Sequence, residues 1–371
     1  MRILIAAGGT GGHIYPAVAL VKKIKEKIPG VSILWIGGKK EWEREIVERE
    51  KVQFKSIDVL PFPRSFSCRI FLSFIFKLIS SLIQSFGWIV VFKPHLVIGM
   101  GSFHSYPVIL SGFLSGKPTI ICEQNVYLSL TNKMLSPFVS RIALSFSHTR
   151  RYIPLWGKGK VIITGNPIRE EIITTSKKEG ISNLSLEEGR FTLFFFGGSQ
   201  GSRYLNRVVV ETLRLFQEDD IKEDIQFILI TGDKDYSFVR RKMQGIKLKG
   251  RVFAYLTNIH YAFAASDLVI SRSGATTISE ITARGIPCIL VPYPFATNQH
   301  QLSNALFLEK EGAAKVIVQE KLTPFLLKEE INKIIRDEEL RRRMRDISKR
   351  LGKPEATQTL TGLILKLMGR G

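Results

Sequence analysis

Two glycine-rich phrases, about half a chain apart, have the make-up of phosphate-binding turns. RILIAAGGTGGHIYPAVALVKKI runs from Arg2 and TLFFFGGSQGSRYLNRVVVETL from Thr192. In each, a short apolar run leads into glycines and then into apolar positions at helical spacing. Gly8, Gly9, Thr10 and Gly12 align with Gly197, Gly198, Ser199 and Gly201. A strand that ends in glycines and turns into a helix brings bare N–H groups and a positive dipole end to one point, which suits phosphate. A third phrase, RSGATTISE from Arg272, adds to this. Gly274 permits a tight turn, Ala275, Thr276 and Thr277 open a helix that offers donors to a pyrophosphate, and Glu280 can accept both hydroxyls of a ribose. The loop FATNQHQLSNA gathers Gln299, His300, Gln301 and Asn304, whose amides suit neutral sugar hydroxyls.

Proton transfer at such a site needs a titratable group. His13 closes the first glycine loop. A helix N-terminus disfavours the imidazolium, so a histidine there can serve as a base; a hydrogen-bonded loop histidine would look the same. The strand TIIC leads to Glu123, Gln124 and Asn125. From Val59 to Arg169, Glu123 is the one acidic residue against twelve Lys and Arg. It is either a second candidate base or a charge that balances a neighbouring cation.

The elements that must position these groups alternate. Strand signals at Ile3–Ala7, Ser32–Ile36, His95–Gly99 and Thr119–Cys122 are separated by helical patterns such as Ala17–Lys27 and Glu41–Lys51. Short apolar runs between helices predict a parallel sheet covered on both faces. The polar stretch TTSKKEGISNLSLEEGR, Thr174–Arg190, reads as the connection between domains. The second half repeats the scheme with strands at Thr192–Phe196, Gln226–Ile230, Leu268–Ser271 and Cys288–Val291. A basic helix over Pro324–Lys349 follows, then a last apolar helix beyond Pro354. The repeat predicts an α/β protein of two Rossmann-like parallel-sheet domains facing across a cleft.

Ile70–Phe92 is apolar for about the length of a bilayer crossing. Its polar residues Ser73, Lys77, Ser80, Ser81 and Gln84 fall within roughly 100° of arc, and Gly87 is expected to interrupt it. The remaining apolar arc is wider than one core stripe, with Ile70, Phe71, Phe74, Ile75 and Leu78 on one edge and Leu72, Phe76, Ile79 and Ile83 on the other. With Arg64, Arg69 and Lys77 nearby, the first edge is the expected contact with an anionic membrane surface.

The chain has 371 residues and a net charge of +21, which favours anionic partners. No basic-aromatic nucleic-acid motif stands out, so nucleic acid is not an expected partner. Three scattered cysteines, Cys68, Cys122 and Cys288, have no metal spacing and fit a reducing compartment. The N-terminal apolar run is too short for a signal peptide, and a cytoplasmic location is expected. GGTGGH does not fit the dinucleotide pattern G-x-G-x-x-G, because Ile14 occupies its last position.

The ordered set GGTGGHIYPAVAL, GMGSFHSYP, CEQN with LTNK, GNPIR, GGSQGS, RSGATTISE and HQLSNA covers nearly all of the chain. In it the chain resembles the MurG family, inverting glycosyltransferases that add N-acetylglucosamine to lipid-linked muramyl-pentapeptide in peptidoglycan synthesis. The resemblance implies the GT-B fold, with residues 1–165 as the acceptor and membrane domain. Residues 166–353 would hold UDP-GlcNAc, and the helix at about 354–371 would pack back on the first domain. It implies no cofactor and no metal motif. Its partners would be UDP-GlcNAc, undecaprenyl-linked muramyl-pentapeptide, an anionic membrane surface and other cell-wall enzymes. The location would be peripheral, on the inner face of the cytoplasmic membrane.

Carried over by position, the resemblance sets Thr10, Gly11 and Gly12 near the diphosphate and sugar. Asn125 would contact the sugar, Arg169 the nucleotide and Ser199 a phosphate, and the backbone of Leu256 would meet uracil. Ala275, Thr276, Thr277, Ile278, Ser279 and Glu280 would hold the phosphates and ribose, and Gln301 the sugar hydroxyls. His13 is the first base candidate and Glu123 the second. Cys122 stands where the family usually has His, Ser102 where a second glycine is usual, and Val126 and Ser129 replace glycines of some relatives.

Overall fold

The computed structural model describes residues 1–63 and 67–369. Arg64, one of the cations expected beside the membrane edge, lies outside the described residues. Backbone contacts divide the chain into two compact units, Met1–Arg169 joined by the residues from Glu355 onward, and Glu170–Pro354.

The first unit runs β1 (Arg2–Ala6), α1 (Gly11–Lys27), β2 (Ser32–Gly37), α2 (Glu41–Arg49), β3 (Gln53–Ser56), α3 (Cys68–Phe92), β4 (Leu96–Gly99), α4 (Ser105–Leu114), β5 (Thr119–Glu123), α5 (Leu130–Leu135), β6 (Arg141–Leu144) and β7 (Val161–Ile163). Its seven strands are parallel in the order β3-β2-β1-β4-β5-β6-β7. Alternate residues of each strand feed opposite faces. Ile3, Ile5, Ile98 and Ile120 pack with α1 on one face. Leu4, Ala6, Val97 and Ile121 pack with Val108 and Ile109 of α4 on the other.

The second unit runs α6 (Glu170–Thr174), α7 (Lys177–Asn183), β8 (Phe191–Phe196), α8 (Arg203–Phe216), β9 (Ile225–Ile230), α9 (Asp233–Lys242), β10 (Gly250–Phe253), α10 (Ile259–Ala265), β11 (Leu268–Ser271), α11 (Ala275–Arg284), β12 (Cys288–Leu290), α12 (His300–Glu311), β13 (Ala314–Val316), α13 (Pro324–Arg336) and α14 (Glu338–Leu351). Its six parallel strands take the order β10-β9-β8-β11-β12-β13. The chain then returns to the first unit as α15 (Ala356–Leu367), whose Leu360 and Ile364 are fully buried in the cluster that holds Ile14 and Leu20 of α1.

Three elements differ from the sequence expectation. The stretch Thr174–Arg190 is not a plain connection: it holds α7, opened by a capping box of Ser176 and Glu179. The helix expected over Pro324–Lys349 is two helices. Asp337 leaves the helical region and caps α14, accepting a bond from Leu340 N–H at 2.8 Å. Gly87 does not interrupt α3, which continues for 25 residues to a left-handed Lys93.

Candidate active site

In both sheets the strand order reverses beside the first strand, and loops at such a switch point form ligand-binding crevices in open α/β sheets. The glycine-rich phrases follow β1 and β8, and GMGSFH and RSGATT follow their neighbours β4 and β11.

In the first unit, Gly9 takes a positive φ of 90°, and Thr10 is the exposed N-cap of α1. The helix starts at Gly11, so Gly11, Gly12 and His13 form its first turn. Gly101, with φ of 83°, is where three loops meet. A Cβ there would stand 2.7 Å from Gln124 Oε1, 3.0 Å from the Cys122 carbonyl and 3.5 Å from His13 Cε1. His13 is thus brought to the loops after β4 and β5. Arg169, at the end of GNPIR, lies over the ring of Tyr15 on α1, 5.6 Å from its centroid.

Glu123 is buried and accepts four N–H bonds. They come from Asn125 N (3.1 Å), Asn125 Nδ2 (3.2 Å), Ser129 N (2.8 Å) and Asn132 Nδ2 (2.9 Å). A carboxylate offers about four lone-pair sites, so this one is saturated. Glu123, the second base candidate, thus organises the EQN loop, and its partners are amides rather than a neighbouring cation. Asn125 is placed by it, and Thr149 Oγ1 donates to the Asn125 carbonyl at 3.1 Å. Burial, and then Glu123, push the Cys122 thiol up to about 12.

In the second unit the glycine phrase folds differently from the first. Gly201 N–H closes a turn on the Gly198 carbonyl at 3.0 Å, and α8 begins only at Arg203 behind the cap Ser202. Ser199 is exposed four residues before the helix, whereas Thr10 sits directly on one. The phrases match in sequence, but only the first aims a helix end straight at its hydroxyl residue.

RSGATTISE forms the turn and first two turns of α11, with Gly274 as N-cap. Ala275 and Glu280 are buried, and Thr276 and Thr277 are half-buried at the helix start. Two of the expected contact residues are engaged within the helix itself. Ile278 is fully buried with its N–H on the Gly274 carbonyl, and Ser279 Oγ donates back to the Ala275 carbonyl at 2.8 Å. Gln301 ties loops together: its Oε1 accepts Tyr293 N–H at 3.0 Å, and its carbonyl accepts Ser273 Oγ at 2.8 Å. Leu256 is half-buried just beyond β10.

Sequence reasoning gave no role to two buried charged residues at these strand ends. Arg272 donates to the carbonyls of Val291 (3.1 Å) and Pro292 (3.0 Å), to Ser202 Oγ (2.8 Å) and to Gln319 Oε1 (2.6 Å). Burial lowers it to about 10. It joins the loops after β11 and β12 to the cap of α8; its place beside the glycine of a strand-end turn was the available signal. Glu43, in α2, accepts the N–H groups of Gly9 and Gly38, both at 2.9 Å.

The membrane edge is also revised. On α3 the small polar face is the one packed inward, with Ser81, Ser85 and Ile89 buried and Ser111 of α4 donating to the Leu82 carbonyl at 3.4 Å. Of the edge expected to face outward, Ile70 and Phe71 are exposed, but Phe74, Ile75 and Leu78 are half-buried, and Phe74 meets Phe62 edge-on at 5.5 Å. The opposite edge projects furthest, with Leu72 62 %, Phe76 74 % and Ile83 68 % exposed. Lys77 is bound to Asp58 at 2.9 Å.

Residues 3–144 match the glycosyltransferase family 28 N-terminal domain, and residues 192–360 its C-terminal domain. The chain is 44 % identical to the UDP-N-acetylglucosamine–N-acetylmuramyl-(pentapeptide) pyrophosphoryl-undecaprenol N-acetylglucosamine transferase of Halothermothrix orenii, over 98 % of each chain. It is 38 % identical to the Thermoanaerobacter sp. (strain X514) protein of the same name, over 98 % of this chain and 99 % of the other. Among solved structures, Acinetobacter baumannii MurG superposes with a TM-score of 0.76 at 24 % identity, over 98 % of this chain and 99 % of that one. Two Rossmann-like sheets, glycine-rich loops at both switch points and end-to-end similarity converge: the chain belongs to glycosyltransferase family 28, in its MurG branch.

Proposed function

We propose that the chain is a UDP-GlcNAc-dependent N-acetylglucosaminyltransferase of peptidoglycan synthesis. It acts on MurNAc(pentapeptide)-pyrophosphoryl-undecaprenol and converts lipid I to lipid II. The observation that carries this reading is similarity to transferases of that name across both units, including the loops at both switch points.

The acceptor C4 hydroxyl attacks the anomeric carbon of α-linked UDP-GlcNAc. The bond to UDP breaks as the β-1,4 bond forms, and the hydroxyl proton passes to a base. Inversion in one step needs that base and donors for the leaving diphosphate. His13 is the base in this reading, supported by its place in the first turn of α1 beside the loops after β4 and β5. Ser199 and the start of α11 are the diphosphate donors, and Glu280 holds the ribose. Thr10, Gly11, Gly12, Asn125 and Gln301 contact sugar or diphosphate, Arg169 the nucleotide and the Leu256 backbone the base. For Ile278 and Ser279 only the backbone course of α11 contributes.

The exposed edge of α3 docks the first unit on the inner face of the cytoplasmic membrane, where a polyprenyl acceptor must stay. The helix is long and apolar enough to cross a membrane by length and composition. Its serine face packed on α4 supports a surface role instead. Other cell-wall enzymes are further expected partners. A product assay with UDP-GlcNAc and defined acceptors tests the reading. Transfer to lipid I and not to diacylglycerol is expected, and the reverse preference would overturn it.

A further inference from the structure

The α2 sequence EWEREIVER has the look of a solvent-facing charged helix, and Arg44 and Glu48 do pair on its surface at 3.2 Å. Glu43 does not belong to that surface, being 1 % exposed. A buried carboxylate is costly unless its charge is compensated. Here the compensation comes from the N–H groups of Gly9 and Gly38 and from the first turn of α2, where a helix end favours negative charge. Neighbouring His104 supplies no countercharge, because burial, then His13 and Lys40, push it down to about 4.

The space around the carboxylate is built to fit it. A Cβ on Gly8 would stand 3.0 Å from Glu43 Oε2 and 3.1 Å from His104 Nδ1. A Cβ on Gly38 would stand 3.0 Å from Glu43 Oε2 and 3.0 Å from His104 Nε2. The Gly9 carbonyl, on the other side of the same residue, accepts Lys40 Nζ at 3.3 Å. Gly9 is therefore held at both its N–H and its C=O from the start of α2, in a φ of 90° that favours glycine. The next residue is Thr10, the cap of α1.

We propose that Glu43 is a positioning residue for the transfer reaction: through the Gly9 N–H it fixes the turn from Gly8 to His13 in the geometry that the substrates require. This rests on the glycosyltransferase reading and assigns Glu43 no contact with substrate. The test compares the parent chain with Glu43→Gln and Gly38→Ala. Gln keeps one acceptor oxygen but turns an N–H₂ group toward the second amide. Ala, at a residue without positive φ, crowds the carboxylate without removing its charge.

Hydrogen exchange over Gly8–His13, thermal unfolding, UDP affinity, and kcat and KM for both substrates are measured. Faster exchange confined to the turn is expected, with kcat lower by about 10–100-fold, the scale of an ångström of misplacement, and a loss of UDP affinity smaller than the loss in kcat. Unchanged exchange, or a loosened turn with unchanged kcat, would overturn the proposal. So would a kcat loss that merely tracks the loss of thermal stability across the two variants. If Glu43→Gln fails to fold, Gly38→Ala carries the same comparison. If the parent transfers no sugar, the functional reading falls, and the exchange measurement alone decides whether Glu43 holds the turn.

Discussion

Glu123 and His13 lie at the ends of β5 and β1, on either side of β4, yet their surroundings give them different work. Glu123 spends its lone pairs on four N–H donors, so taking a proton would break the loop that places Asn125. Glu123→Gln should lower unfolding stability by about 1–3 kcal/mol, the cost of unsatisfied buried partners. A folded, equally stable Gln variant with no turnover would restore Glu123 as a base. His13→Ala should instead cut turnover by about 10²–10⁴-fold at nearly constant UDP affinity. Near-normal turnover in that variant would remove His13 from the chemistry. In the second unit, Glu280→Ala should weaken UDP binding by about 1.5–3 kcal/mol, read by calorimetry. An unchanged dissociation constant would rule out the ribose role. The types of these residues were legible in the sequence; their partners were not. Saturation of Glu123 depends on Ser129 and Asn132, which reach it only once α5 folds back on β5. Glu43 was hidden because its neighbours on α2 are charged and exposed.

At the scale of elements, buried parallel strands announce themselves as apolar runs, and each strand named from the sequence is present. Helix faces and breaks were harder to read. The stop between α13 and α14 rests on one residue, Asp337, followed by Glu338 and Glu339 in the first turn of α14. That is an N-terminal signal inside an otherwise continuous helical pattern. On α3 the usual inference from polarity runs backward, because serines pack closely against α4 while large apolar side chains face out. The membrane test therefore moves to the outer edge. Phe76→Ser with Ile83→Ser should weaken sedimentation with anionic vesicles and lower activity on lipid acceptor, while sparing a short-chain soluble acceptor. Burial of apolar surface contributes about 25 cal/mol per Å2, and each basic residue near anionic lipid about 1 kcal/mol. Equal losses on both acceptors would mean that this edge does not dock.

For the whole molecule, the internal repeat made the two-sheet architecture legible, since two sets of strand-glycine-helix signals need two sheets. The chain's return to the first unit follows from α15. Leu360 and Ile364 of that helix are fully buried against Ile14 and Leu20 of α1, and each contributes about 1.5–3 kcal/mol by burial. That is a large part of a domain's usual margin of about 5–15 kcal/mol. Truncation after Pro354 should therefore make residues 1–169 protease-sensitive while residues 170–354 stay resistant. Equal resistance of both would show that α15 is dispensable.

The same return sets an order of assembly during synthesis. The second unit is one uninterrupted stretch of chain, complete as soon as Pro354 has left the ribosome. The first unit is made first but lacks the helix that covers α1 until α15 emerges. Its apolar α1 face must wait, uncovered, through the translation of nearly two hundred further residues. The N-terminal half of this protein is thus the half that finishes folding last, and the one most in need of protection while the chain is still growing.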